Sequence, residues 1–217
     1  MCEQIKKKKV KNKGNRMVHS RYLNRYFKLN SSEEMQRLQL FPNVSECTEV
    51  FGILNVIENY ILKKDTNIDR NKENHVLCFV VGDGTTPRTA AVINFMTKWN
   101  TVSCDPIMRN PAKYAGIKRC EVHTSKGEDI VEMVAQRVEI VGHEYIILIF
   151  PHSHIPNTNE IYKHFTDKKV WIINMPCCHK KQDDYLPLKE WVSFKDDAVA
   201  SPENTIKVYC NYIDLLK

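Results

Sequence analysis

No apolar run in this 217-residue sequence comes near the roughly 18–20 residues that a membrane-spanning helix needs, so no helical span is expected. The lysine-rich start has no apolar stretch behind it, which predicts no secretory signal. Glycine is scarce at seven residues, and two of the seven, Gly82 and Gly84, flank a single aspartate. Eight cysteines are present without a Cys-x-x-Cys pair, which argues against a structural zinc site. Because Cys78, Cys104 and Cys120 fall in or beside runs that read as buried strands, reduced thiols are expected. An intracellular location, cytoplasmic or nuclear, goes with that. No internal repeat is visible. What is left, 42% hydrophobic and 27% charged, is the composition of a globular chain with ample core.

Positive charge is concentrated. Lys6, Lys7, Lys8, Lys9, Lys11, Lys13 and Arg16 place seven cations within eleven residues, enough to account for the net charge of +6. Such a block repels itself, and residues 1–16 are expected to form a disordered basic tail. It could meet RNA phosphates or serve as a nuclear address, and it could equally be a solvated tail without a partner. A second group, Lys163, Lys168, Lys169, Lys180 and Lys181, could extend a basic surface or simply face water.

Residues 17–74 read as helical, an extension ahead of the first strand. Arg21, Tyr22, Arg25, Tyr26 and Phe27 mark one helix, and Ser31-Ser32-Glu33-Glu34 starts a second that Pro42 ends. Ser45 opens a third, with Glu49 in its early turns and Val50, Ile53, Leu54, Ile57, Ile61 and Leu62 at helical spacing. These helices could cap a pocket or receive a protein partner.

Residues 75–217 are organised around Val76–Pro106. Val76 to Val81 is a short unbroken apolar run, as in a parallel strand covered on both faces. It stops at Gly82-Asp83-Gly84. Thr85 or Thr86 can cap the helix that follows, with Pro87 in its first turn. Thr101 to Cys104 is a second strand and ends at Asp105. Strand, glycine turn, helix, strand and an acid about twenty residues on is a ribose-binding arrangement of the Rossmann type. Further strands are expected at Lys118–His123, Tyr145–Phe150, Lys169–Asn174, Glu190–Lys195 and Thr205–Asn211, with helices over Gly127–Val141 and from Asn157 or Thr158 to Phe165. The last two strands have only a loop between them and should pair antiparallel. The expected fold is α/β: a doubly wound, mostly parallel seven-stranded Rossmann-like sheet with a C-terminal antiparallel hairpin and an N-terminal helical extension.

In that order of elements the chain resembles the class I S-adenosylmethionine-dependent methyltransferases, over about Asn74 to Lys217. Family members share a seven-stranded sheet whose last strand is inserted antiparallel, with the cofactor across the ends of the first two strands. The resemblance implies S-adenosyl-L-methionine as cofactor, held by Gly82, Asp83, Gly84 and Thr85 of the glycine loop and by Asp105 at the ribose hydroxyls. Thr124 and Ser125 would lie near the adenine. Pro151, His152, Ser153 and His154 match the loop after the fourth strand, where His152 or His154 would be the catalytic candidate as general base. One group of these enzymes, which includes tRNA methyltransferases, carries a His-containing loop there and a Pro-Cys-Cys motif after the fifth strand. Pro176-Cys177-Cys178-His179 is similar to it, which puts Cys177, Cys178 and His179 on the substrate side.

The sequence departs from the family in two places. Val80 stands where an acid usually holds the methionine amino group, and no Asn-Pro-Pro-aromatic motif follows the fourth strand, which argues against methylation of base amino groups. Methyl transfer by direct displacement needs alignment more than acid–base help, so the lack of an obvious dyad does not count against it. The resemblance implies a methyltransferase, with RNA as the acceptor suggested by the basic tail. The alternative is a catalytically inactive Rossmann module acting as a scaffold or RNA-binding subunit. A nicotinamide-dependent dehydrogenase is disfavoured by the closing hairpin and the incomplete three-glycine fingerprint.

Overall fold

A computed structural model describes residues 20–176 and 186–215 of the chain. Seven strands form one sheet: β1 (Val76–Val81), β2 (Asn100–Cys104), β3 (Cys120–His123), β4 (Tyr145–Pro151), β5 (Lys169–Met175), β6 (Glu190–Lys195) and β7 (Thr205–Cys210). Their order is β3-β2-β1-β4-β5-β7-β6. The first five run parallel, and β7 inserts antiparallel between β5 and β6. The expected fold class is present, including the antiparallel closing hairpin.

Every residue of β1 is buried, because its pleat sends alternate side chains into two separate cores. Val76, Cys78 and Val80 face a layer made by α1 (Ser20–Phe27), α3 (Val44–Val56) and α5 (Arg88–Met96). Leu77, Phe79 and Val81 face α6 (Gly127–Val141) and α7 (Asn159–Tyr162). A strand covered on both sides has no polar face to show, which is why it reads as a continuous apolar run.

The helices ahead of β1 share the core of the sheet. In α3, nine residues from Cys47 to Val56 are buried, Glu49 among them. With most of its residues buried, α3 is held between the sheet and α1. Gly52 makes the close approach possible: a Cβ there would stand 2.8 Å from Val199 Cγ2 in the β6–β7 loop. The helix starts on Asn43, whose side chain accepts from Glu46 N, two residues ahead of the expected Ser45. It then runs through a π-helical turn (Ile57–Ile61) into α4 (Leu62–Lys64). The short α2 (Ser32–Arg37) anchors through Met35.

The five cysteines among the described residues are all free and buried, and burial raises each thiol pKa, Cys120 to about 12. They are inert at neutral pH, in keeping with the reduced state read from the sequence. Among the described residues no helix is long and apolar enough to cross a membrane.

A buried histidine closes the end of the sheet at the start of β2. Asn100 Nδ2 donates to His143 Nε2 at 2.9 Å and to Asn74 Oδ1 at 3.1 Å. Burial, followed by the nearby Arg137 charge, lowers the His143 pKa from 6.5 to about 4. The unfolded chain therefore takes up this proton before the folded one does. The contribution is fully present above about pH 6.5 and is lost as pH falls towards about 4. Urea melts at neutral pH and at about pH 4 should show a larger loss for the wild type than for His143→Gln. Equal losses would remove His143 as the cause.

Candidate functional site

In a parallel sheet the crevice for a ligand opens at the carboxyl ends of the strands, where the chain reverses its direction of winding. Here β1 leads outward to β2 and β3, and the chain then returns to β4 on the other side of β1. The glycine loop, Asp105 and the loop after β4 all lie at the strand ends around this reversal.

The glycine loop takes two left-handed turns, with φ of +86° at Gly82 and +84° at Gly84. Gly82 N donates to Cys104 O at 2.8 Å, which ties the loop to the end of β2. Asp105 completes the tie: its Oδ2 accepts from Gly84 N at 2.8 Å and its Oδ1 from Ile107 N at 2.9 Å. Each carboxylate oxygen has a further lone pair, so Asp105 can still accept from a ligand hydroxyl. Thr85 O accepts from Arg109 N at 3.0 Å. Thr124 Oγ1, after β3, donates to Met108 O at 3.1 Å. Beside it, Ser125 Oγ is buried with no hydrogen-bond partner. The ends of β1, β2 and β3 are thus drawn together as expected, and Ser125 contributes an unused polar atom there.

Asp83 is turned the other way. It is fully buried, with Oδ1 accepting from Thr89 N at 2.9 Å and Oδ2 from Ala90 N at 3.2 Å and Ser103 Oγ at 2.9 Å. Two of those donors are unpaired N–H groups in the first turn of α5, so Asp83 supplies the cap. This corrects the expectation of a threonine cap: Thr86 Oγ1 instead donates 2.6 Å to Leu40 O, fastening the loop to the N-terminal segment. Burial raises the Asp83 carboxyl, against the pull of Arg88 and of the Thr89 and Ala90 amides. Arg88 donates to the Asp83 carbonyl, and its guanidinium occupies the space beside Gly84 where a Cβ would project.

On the β4 side, Pro151 is the last residue of the strand and pairs with Met175 of β5. His152 follows with φ of +53°, a left-handed conformation that few non-glycine residues adopt and that histidine tolerates better than most. The strain is held by His152 N donating to Met175 O at 3.0 Å. It aims Nε2 at Glu49 Oε1 of α3, 3.3 Å away. Burial alone would raise the Glu49 carboxyl. Hydrogen bonding and charge from His152, the Arg88 charge and a hydrogen bond from Ser201 outweigh burial and hold it below the usual value. Ser153 packs over Gly82, where a Cβ would lie 2.8 Å from its Cα. His154 is exposed. The two candidate histidines are therefore in different settings, His152 in an imidazole–carboxylate pair and His154 at the surface.

Cys177, Cys178 and His179 lie outside the described residues, as do Lys6, Lys7, Lys8, Lys9, Lys11 and Lys13 of the tail. Of the second lysine group, Lys163, Lys168 and Lys169 pair with Glu160, Glu139 and Glu144 at 2.6, 2.6 and 2.7 Å, an exposed set of ion pairs rather than a free basic surface.

Sequence reasoning missed Glu46, Glu49 and Arg88 as site residues. The available signal was two acids three residues apart at the start of a helix rich in apolar side chains. Taken together, the site offers two left-handed glycines, with Ser153 packed over one and Arg88 beside the other, and a carboxylate at a strand end. It also offers an unused hydroxyl after β3, a buried guanidinium beside Gly84 and an imidazole–carboxylate pair between the loop after β4 and α3.

No model of a known protein family matches the sequence, and no curated protein does. Among solved structures, the chain is similar to MtNAS in complex with MTA and tNA, with 10% identity and a TM-score of 0.48, over 89% of this chain and 69% of that one. A SAM-dependent methyltransferase from Aquifex aeolicus matches with 12% identity and a TM-score of 0.41, over 88% and 97%. The MycE methyltransferase from the mycinamycin biosynthetic pathway, in complex with Mg and SAH, matches with 12% identity and a TM-score of 0.39, over 80% and 50%.

Proposed function

We propose that the chain is an S-adenosyl-L-methionine-dependent methyltransferase. The observation that carries this reading is the sheet order β3-β2-β1-β4-β5-β7-β6, with β7 antiparallel between β5 and β6, set above a glycine loop hydrogen-bonded to an acid at the end of β2. The bound cofactor would supply an electrophilic methyl group on a sulfonium. Asp105 would receive the ribose hydroxyls and Ser125 an edge of the base, while a ligand reaching the backbone at Gly82 and Gly84 would meet Ser153 and Arg88 there first. His152, oriented by Glu49, would take the proton that an O–H or N–H acceptor loses as the methyl group arrives. Val80 is a fully buried strand residue and offers no contact to a ligand, so the amino end would need another partner.

RNA is the proposed acceptor class, supported by the seven cations of residues 6–16, which precede Arg21 at the start of α1. Isothermal titration with S-adenosyl-L-methionine and S-adenosyl-L-homocysteine tests the cofactor, and both should bind in the micromolar range. Silence from both at millimolar concentration would sink the reading. Transfer of labelled methyl groups to total RNA tests the acceptor. RNA affinity that falls steeply with salt, and less steeply once residues 1–16 are removed, would support the role of the tail.

A further inference from the structure

Arg88 is buried and under-used. Nη1 donates to the Asp83 carbonyl, the sole hydrogen bond of the side chain among the described residues. A guanidinium carries five N–H donors in a planar fork that matches a carboxylate edge to edge. The nearest carboxylate is Glu46, with Oε2 3.4 Å from Nε, beyond good hydrogen-bond length. That Oε2 is itself buried with no hydrogen-bond partner. One oxygen of Glu46 has thus given up water without a hydrogen bond to compensate for it, beside a guanidinium whose side chain is only 7% exposed. The other acids around Arg88 are committed elsewhere, Asp83 to the first turn of α5 and Glu49 to His152. Glu46 has room to leave: its side chain is 26% exposed against 7% for Arg88, and its Oε1 already lies 3.3 Å from Asn43 Nδ2 on the outer side.

We propose that Glu46 is an internal stand-in for a ligand carboxylate. A ligand with an α-amino-acid end, laid over the glycine loop, displaces Glu46 and takes the free fork of Arg88. The exchange selects for the amino-acid end and holds back any ligand that lacks it. It also lets α3 register occupancy, because Glu46 belongs to the capped first turn of that helix. This rests on the cofactor reading above, and the experiment separates the two.

The probes are S-adenosyl-L-homocysteine and 5′-methylthioadenosine, which share nucleoside and thioether and differ in the amino-acid end. In isothermal titration the wild type should prefer the former. Glu46→Gln removes the competing charge and should tighten S-adenosyl-L-homocysteine by about 3–10-fold, as relief of a self-blocked state does, while leaving 5′-methylthioadenosine unchanged. Arg88→Met should weaken the first by about 10–100-fold and the second by less than about 2-fold. Should Arg88→Met fail to fold, Glu46→Gln decides alone. If Glu46→Gln changes neither affinity, or both equally, the stand-in is overturned and the cofactor reading stands. If the wild type binds neither nucleoside, both are overturned.

Discussion

Replacing Asp83 with alanine is expected to destabilise the protein by about 3–5 kcal/mol, a fall in melting temperature of roughly 10 °C for a chain of this size. The side chain serves three buried donors at once: the amides of Thr89 and Ala90 and the hydroxyl of Ser103. Water cannot replace the carboxylate, since Asp83 is 0% exposed. Each buried donor left unpaired costs about 1–3 kcal/mol, and Arg88 loses one of its neighbouring negative charges. Part of the loss is returned, because burial of the carboxylate is itself unfavourable, as its raised pKa records. Asp83→Asn should cost less, since an amide oxygen still accepts from one of the two helix amides. Thermal melts of the two variants check this. An alanine variant within about 1 kcal/mol of the wild type would mean that the first turn of α5 is satisfied some other way.

The same residue shows where the sequence stops being legible. Gly-Asp-Gly after an apolar run announced a turn at the end of a strand, and the turn is there. Which way the aspartate points depends on two left-handed glycines and on the serine of the neighbouring strand, a relation between residues twenty positions apart. Nothing in the local pattern encodes it. By contrast, β1 and β6 begin and end where their side-chain patterns predict, because burial on both faces and a polar loop are local statements. The pairing of β7 with β5 across an intervening strand is not local, and it was expected from the family resemblance rather than from spacing.

The site divides along the same line. Asp105 was expected because an acid at a strand end about twenty residues beyond the glycines is a pattern along the chain. Glu49 and Arg88 were not expected, because their partners are assembled by packing α3 over the end of the sheet. A helical extension read as lying ahead of the sheet proves to be one of its covering layers, and that placement brings Glu49 to His152. A charged residue on the buried part of a helix signals a partner without saying which one.

The glycines should separate by what their missing side chains leave room for. Gly82→Ala is expected to be the most damaging, by about 3 kcal/mol or more. A left-handed φ costs a non-glycine residue roughly 1–2 kcal/mol, and here the new Cβ would also stand 2.8 Å from Ser153 Cα and 2.9 Å from its Cβ. Backbone cannot step aside as a side-chain tip can, so the loop after β4 would have to move, and His152 with it. Gly142→Ala shares the left-handed φ but meets nothing within 4 Å, so it should cost only the conformational term, about 1 kcal/mol. Gly116→Ala has neither penalty and should be neutral or slightly stabilising. Chemical denaturation of the three variants gives the order directly. If Gly82→Ala and Gly142→Ala prove equal, the strain lies in the backbone alone. If Gly82→Ala is worse by about 2 kcal/mol, the loop after β4 is seated firmly on the glycine loop, and a ligand entering there must move Ser153 before it can meet the backbone.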